Sequence, residues 1–495
     1  MYLSELAEVL AASRLQGDGD TLITGIQTDH RKVQQGDLFV CISGKVHDGH
    51  GYTSQAAAQG AVALVVERDV EAKLPKLFVK DCRQAMGTIA SHFFGYPSRE
   101  LKLIGVTGTN GKTTMTFLLD YIFSSQGYKT GLMGTIHTKI GEFTAPAERT
   151  TQEALDLQRT LRRMVDENID YCTMEVSSHA LELGRVKGCR FRTALFTNLT
   201  QDHLDYHQTM DRYRDAKGLL FSRLGNDYGT GWQDQPYAVL NADDPASEVY
   251  ARQTAAQTIT YGIDHSADVM AHSIRISARG TEFTLTTFAG DAHVVMKLIG
   301  KFNVYNALGV VAAALLEHIP LQAIVNGLTA IEPVEGRMQA VDHGQNYLVL
   351  VDYAHTPDGL ENALRSVREF AEGRIFTIFG CGGDRDRSKR PIMGTIAAKY
   401  SDFVIITSDN PRSEDPDQII SEIAQGILQS GYTESSFERI PDRREAIRRA
   451  IEMAKTDDVI LIAGKGHETY QILRDQTIAF DDRLVAAEFI RRVLP

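Results

Sequence analysis

Ten consecutive residues, Gly105-Val106-Thr107-Gly108-Thr109-Asn110-Gly111-Lys112-Thr113-Thr114, carry the most specific chemical pattern in the chain. An apolar run, Leu101, Leu103, Ile104 and Val106, precedes them, and Met115, Phe117, Leu118, Leu119 and Ile122 follow at helical spacing. The pattern predicts a buried strand that turns through a glycine-rich loop into a helix. Backbone N–H groups left uncovered by glycine, at the positive end of a helix, bind phosphate oxygens; Lys112 adds a point charge and Thr113 a hydroxyl for Mg²⁺. The segment Gly108, Thr109, Asn110, Gly111, Lys112, Thr113, Thr114 is therefore read as a cradle for ATP or GTP. A strict phosphate-loop motif would have glycine where Val106 stands, yet every chemical part is kept. The alternative is a turn that only joins strand to helix.

Three further strand ends are rich in polar residues: Met174-Glu175-Val176-Ser177-Ser178-His179, Thr197-Asn198-Leu199-Thr200-Gln201-Asp202-His203 with Leu204-Asp205-Tyr206-His207 after it, and Val239-Leu240-Asn241-Ala242-Asp243-Asp244. A carboxylate leaving an apolar strand is costly unless paired or metal-bound, so Glu175 is the natural oxygen ligand for Mg²⁺ beside Thr113. His203 and Lys217, taken alone, read as ordinary surface or core residues.

Strands and helices that must position these groups alternate along the chain, which predicts an α/β protein. Its 495 residues suggest about three domains. Residues 1–99 read as a small N-terminal α/β domain. Residues 100–332 form a central P-loop-type nucleotide-binding α/β domain with a mainly parallel sheet. Residues 333–495 read as a Rossmann-like α/β domain whose four apolar strands end in Asp352-Tyr353-Ala354-His355-Thr356-Pro357-Asp358, in Gly380 to Arg387, in Ser408-Asp409-Asn410-Pro411-Arg412 and in Gly464-Lys465-Gly466-His467-Glu468. Ligands of such sheets sit at the carboxyl ends of strands.

A net charge of −12 argues against nucleic-acid binding, and five scattered cysteines argue against zinc, disulfides or redox chemistry. Apolar content of 43% with no bilayer-length run, and an amphipathic, acidic amino end, point to a cytoplasmic protein without membrane association. A monomer acting on small molecules is the expectation.

The loop Gly108 to Thr114, Glu175 with Ser177-Ser178-His179, the run Thr197 to His207 and Asp352-Tyr353-Ala354-His355-Thr356-Pro357 together resemble the Mur ligase family over essentially the whole chain. The resemblance implies an ATP-dependent ligase of cytoplasmic peptidoglycan precursor synthesis. It would add an amino acid to the D-glutamate γ-carboxylate of UDP-N-acetylmuramoyl-L-alanyl-D-glutamate through an acyl phosphate, with two Mg²⁺ ions. By this comparison Lys112, Glu175, His203 and Lys217 are catalytic. Thr113 and Glu175 match one metal site; His203 and Lys217, the latter as a CO₂-derived carbamate, match the second. Asn303 matches an adenine contact and Arg337 a nucleotide contact. Thr150, Thr151, Ser177 and Arg185 match positions that hold the muramoyl dipeptide, and Lys45, Val46 and His47 match the uridine end, with His30 beside them. The family commonly has Asp-Ser-Arg where this chain has Asp29-His30-Arg31, and Asn where it has Arg149.

Asp409-Asn410-Pro411-Arg412 resembles the family's meso-diaminopimelate motif, and the chemistry agrees. A guanidinium holds a carboxylate by two parallel hydrogen bonds, so Arg412 and Arg385 are candidate clamps for the distal carboxylate. Asp409 and Glu468 can receive the distal ammonium, and Gly464 lets backbone approach. A lysine-adding ligase or a folylpolyglutamate-type synthetase shares the phosphate loop; the latter should lack the uridine site and the Asp-Asn-Pro-Arg loop. A nucleotide sensor without ligase activity would need no second metal site.

Overall fold

The computed structural model describes residues 1–44, 47–226 and 235–493, so Lys45 and Val46 lie outside the described residues. Three large sheets, each with its own helices, succeed one another along the chain. In the first, the strands Arg14–Gln16, Lys76–Phe78, Ala63–Val66, Asp37–Val40 and Gly25–Gln27 lie in that order, parallel except for Arg14–Gln16. Period-two alternation sends Leu38, Val40 and Val65 to a core shared with Met86 and Ile89 of helix Cys82–Phe93, and Phe39, Leu64 and Val66 to the opposite face. Ala154 and Leu155, at the start of the central helix Ala154–Asp166, belong to the first of these cores, which fixes the seam between the first and central sheets.

The central sheet has eleven strands. Its heart is parallel: Val269–Ser277, Gln257–Gly262, Tyr237–Asn241, Thr193–Phe196, Lys102–Thr107, Tyr171–Glu175 and Thr130–Met133 are neighbours in that order. Antiparallel strands extend both edges, Gly280–Thr287 with Gly290–Met296 at one and His137–Ile140 with Phe143–Pro146 at the other. Lys102–Thr107 is buried on both faces, as expected of a central parallel strand. Its register pairs Val106 with Glu175 and Thr107 with Phe196, so three strand ends reach the phosphate loop at one level. Helix Lys301–Leu316, buried almost all round, packs with helix Lys112–Ser125 against that sheet.

The third sheet orders Gln339–Ala340, Leu348–Asp352, Val459–Ala463, Ile375–Phe379, Phe403–Ile406 and Phe437–Arg439, parallel after the first pair. The four strands whose polar ends stood out in the sequence are consecutive neighbours, and their carboxyl ends therefore form one rim.

Candidate active site

Gly108 and Gly111 adopt φ of 147° and 86°, values that glycine reaches without steric cost. Space forbids side chains as well: a Cβ on Gly111 would lie 2.3 Å from Asn306 Oδ1. Neighbouring strand ends hold the loop between these glycines. Thr109 N donates to Asn198 O at 2.8 Å, Asn110 N to Asn198 Oδ1 at 3.0 Å, and Thr197 Oγ1 to Asn110 O at 2.6 Å. Lys112 Nζ folds back onto the carbonyls of Gly108 and Thr109 at 2.8 and 2.7 Å.

Glu175, 1% exposed, closes the strand Tyr171–Glu175, and its Oε1 accepts from Thr113 Oγ1 at 3.0 Å and Thr135 N at 2.8 Å. Arg337 of the third domain donates to the same Thr113 hydroxyl at 3.1 Å and lies 4.5 Å from the centre of the Tyr353 ring. Its Nε is buried without a hydrogen-bond partner among the described residues, a costly arrangement that an incoming acceptor would relieve. A second contact crosses the same cleft, from Asn110 Nδ2 to Asp358 Oδ2 at 2.7 Å.

Lys217, on helix Met210–Ser222, is 1% exposed; its Nζ donates to Gly108 O at 2.8 Å and sits 4.3 Å from the centre of the Tyr213 ring. Burial, reinforced by Lys112, holds its pKa well below the usual lysine range, so the neutral amine is accessible. His203 begins the turn Leu204–His207 at φ 56°, with its Nε2 3.3 Å from Asp202 Oδ2 and its ring 4.9 Å from that of His179. No group of three or more His, Cys, Asp or Glu side chains forms a metal cage among the described residues. The donors here are instead a hydroxyl, one carboxylate and an imidazole. The hydroxyl and carboxylate are hard oxygen donors that fit Mg²⁺, which keeps waters and substrate phosphates as its other ligands, while the imidazole is a borderline donor.

On the other side of Glu175, Thr151 Oγ1 donates to Glu175 O at 2.8 Å and accepts from Ser177 N at 3.0 Å. Thr150 Oγ1 lies 3.1 Å from Thr135 Oγ1, and Arg185 Nη1 donates to Thr151 O at 3.1 Å. Thr150, Thr151, Ser177 and Arg185 thus line one wall running from Glu175 towards the first domain. There His30 stacks on Tyr52 with ring centres 4.4 Å apart, and Tyr52 Oη lies 3.3 Å from His47 Nδ1.

At the rim of the third sheet, Arg412 occupies φ 53° and donates to Gly383 O at 2.8 Å, while Arg385 donates to Asp384 O at 2.9 Å. Gly464 is pressed against Asp409, whose Oδ2 would lie 2.6 Å from an added Cβ. Asn410 Nδ2 donates to Glu468 Oε2 at 2.8 Å. Lys465, fully buried, donates to that same oxygen at 2.8 Å, so Glu468 already has a cationic partner that its place in the sequence did not reveal. Beneath the pocket, Arg390 is 0% exposed and pairs with both oxygens of Glu414 at 2.9 Å and with Glu422 at 2.8 Å. These bonds hold the loop after Arg412 in place.

Asn303 is also buried, its Nδ2 donating to Ile299 O at 2.9 Å and its Oδ1 accepting from Asn306 at 3.0 Å. It reaches the phosphate loop through Asn306. Asn198, Asn306, Asp358, Lys465 and Arg390 were not singled out from sequence. Asn198, Asp358 and Lys465 stand in motifs quoted above, but their partners lie between 3 and 248 residues away.

Three family models match the chain in succession: "Mur ligase family, catalytic domain" over residues 22–94, "Mur ligase middle domain" over 106–314, and "Mur ligase, glutamate ligase domain" over 336–466. A protein of Bacillus cereus named UDP-N-acetylmuramoyl-L-alanyl-D-glutamate--2,6-diaminopimelate ligase is 52% identical over 468 residues, 94% of each chain. One of the same name from Geobacillus kaustophilus is 51% identical over 99% of each. A solved structure with that ligase title superposes with a TM-score of 0.71 at 33% identity, covering 99% of both chains. With this agreement along its whole length, the chain belongs to the Mur ligase family.

Proposed function

We propose that the protein is an ATP-dependent ligase that joins meso-2,6-diaminopimelate to the D-glutamate γ-carboxylate of UDP-N-acetylmuramoyl-L-alanyl-D-glutamate. The observation that carries this reading is the convergence of unlike groups on one cleft. The phosphate cradle and the wall of Thr151 and Arg185 meet at Glu175, and Arg337, packed on Tyr353 at the end of a strand of the third sheet, reaches the same Thr113 hydroxyl. The names of full-length relatives near 50% identity agree with it.

In this reading the loop N–H groups and Lys112 hold the ATP phosphates, and Lys112 leaves the carbonyls of Gly108 and Thr109 to do so. The substrate γ-carboxylate attacks the γ-phosphorus and ADP departs. The amine of the incoming amino acid then attacks the acyl phosphate, expelling inorganic phosphate and leaving an amide. Thr113 and Glu175 would hold one Mg²⁺; His203 and a carbamate on Lys217 would hold the second. When bound, the ions offset the negative charge that gathers as carboxylate approaches phosphate. The neutral Lys217 amine is the form able to add to CO₂, releasing one proton and becoming a carbamate anion near Lys112. Arg337 brings its guanidinium to the loop mouth only when the third domain is seated. At the rim, Arg385 and Arg412 hold the distal carboxylate of diaminopimelate, and Asp409 with Glu468 the distal ammonium. Lysine would leave two guanidiniums without a partner.

Phosphate release with ATP, Mg²⁺ and the UDP-muramoyl dipeptide tests the reading, with meso-diaminopimelate compared with L-lysine and the product weighed. Release with diaminopimelate alone is the expected result. Release with lysine would keep the ligase and overturn the arginine clamp. Release with neither would overturn the ligase.

A further inference from the structure

The seam between the first and central domains encloses a cavity of about 220 Å³ lined by Thr28, Ile42, Arg83, Met86, Glu153 and Arg185 among others. Its charges do not balance. Glu153, the residue before helix Ala154–Asp166, is the one carboxylate lining it among the described residues, and three guanidiniums surround that carboxylate. Arg185 Nη2 lies 2.9 Å from Glu153 Oε1, Arg149 Nε 3.7 Å from Oε1, and Arg83 Nη1 3.8 Å from Oε2. Arg185, only 11% exposed, also carries a buried Nε without a partner among the described residues. Burial, and after it the nearby Arg149 and Arg83, weaken the hold of Arg185 on its proton, while Glu153 alone among the nearby carboxylates opposes them. One buried and one half-buried guanidinium, Arg185 and Arg83, with the exposed Arg149 beside them, outnumber the single carboxylate, and a site short of negative charge takes anions.

The size of the cavity narrows the class of anion. It is below the roughly 300 Å³ at which pockets begin to enclose drug-sized molecules, so it takes a group the size of an amino acid rather than a nucleotide. It also lies in the right place. Arg185 reaches from it to Thr151, which touches Glu175, and Thr28 stands two residues from His30, whose ring stacks on Tyr52.

Resting on the ligase reading above, we propose that Arg83 is a substrate-binding residue contributed by the first domain. With Arg185 it receives the non-reacting carboxylate of the terminal D-glutamate, and Glu153 is the resident counter-ion which that carboxylate replaces. The arginines are thereby kept oriented while the site waits. Binding exchanges one carboxylate for another, so no guanidinium passes through an unpaired buried state, the costly condition for such a group. Because Arg83 is the second residue of helix Cys82–Phe93 and Arg185 follows helix Ser178–Glu182, the substrate would also tie the two domains together.

Steady-state kinetics of the full chain with all three substrates decide it. For Arg83→Ala the KM for the UDP-muramoyl dipeptide should rise about 10- to 100-fold, the scale of losing one partner of a desolvated charge pair, while the KM for ATP and for the amino acid stays within about twofold. Arg83→Lys, which keeps the charge and loses the fork, should fall between wild type and Arg83→Ala. Glu153→Gln should leave the dipeptide KM unchanged or lower it, since the competitor is gone. A dipeptide KM unaltered in Arg83→Ala, or raised equally with the other two constants, overturns the assignment to Arg83; a rise of about tenfold in Glu153→Gln overturns the exchange. If the wild type shows no saturable dependence on the dipeptide at all, the ligase reading itself fails, and that outcome is distinct from either.

Discussion

In the proposed function the phosphate loop and the amino-acid rim do comparable work, each holding a charged group for reaction, by opposite means. At the loop the binding groups are backbone N–H donors from one contiguous segment, and two glycines at positive φ set their direction. At the rim they are side chains from segments 380–387, 408–414 and 464–468, and their direction is set by ion pairs beneath them: Arg390 with Glu414 and Glu422, and Lys465 with Glu468. A backbone cradle tolerates little change and serves any nucleoside triphosphate. A side-chain pocket can be retuned one residue at a time, which suits the end of the enzyme that chooses its amino acid.

The largest expected effect lies at the loop. Lys217→Ala should lower kcat with diaminopimelate by about a hundredfold or more, the scale of removing a group that stabilises charge in the transition state. Bicarbonate or a short carboxylic acid should restore part of it; full activity without additives would remove Lys217 from the mechanism. At the rim the expected effect is confined to one substrate. Arg412→Ala should raise the KM for diaminopimelate about a hundredfold while leaving that for ATP alone, because only one ligand loses its bidentate partner. Equal rises in both constants would break the comparison.

A third variant tests what lies beneath the rim. Arg390→Met takes the buried guanidinium from Glu414 and Glu422, leaving Glu422 with Arg387 and Glu414 with the Asp384 N–H, and should cost about 3 kcal/mol of stability, with a higher diaminopimelate KM in what still folds. Chemical denaturation reads the first effect, and an unchanged midpoint would mean the loop is held by other bonds. The smallest effect belongs to a cap far from the rim. Burial pushes the Asp243 carboxyl up, but the N–H groups of Asp264 and Ile263, with Tyr305 and His265, outweigh it and bring the pKa down to about 2. A carboxyl depressed from its ordinary value of 3.8 contributes stability that is present above about pH 4 and lost as pH falls towards 2. Asp243→Asn should therefore cost about 2 kcal/mol at neutral pH and flatten the loss of stability between pH 4 and 2.

The same contrast explains what could be read in advance. The strand, loop and helix from Leu101 to Ile122 are legible because consecutive residues make the structure: apolar alternation, glycines and helical spacing all lie within one window. The Thr113–Glu175 pair was within reach, since a carboxylate at a strand end announces its need of a partner. Lys217 was not, because its identity as a buried, deprotonable amine comes from burial beneath the Gly108 carbonyl 109 residues away and from the nearby Lys112. Glu468 was read as open to an ammonium, whereas Lys465 already pairs with it; a lysine three residues upstream gives no sign from sequence that it is buried. The antiparallel hairpins at both edges of the central sheet were likewise absorbed into a parallel pattern, since short alternating strands look alike in either direction.

The hydrogen bonds Thr113–Arg337 and Asn110–Asp358 bracket the mouth of the phosphate loop from the third domain. A nucleotide seated between them is shut in by the contacts that complete its site. In the proposed function, ADP release requires these two bonds to part, an opening step of the kind that sets turnover in many enzymes.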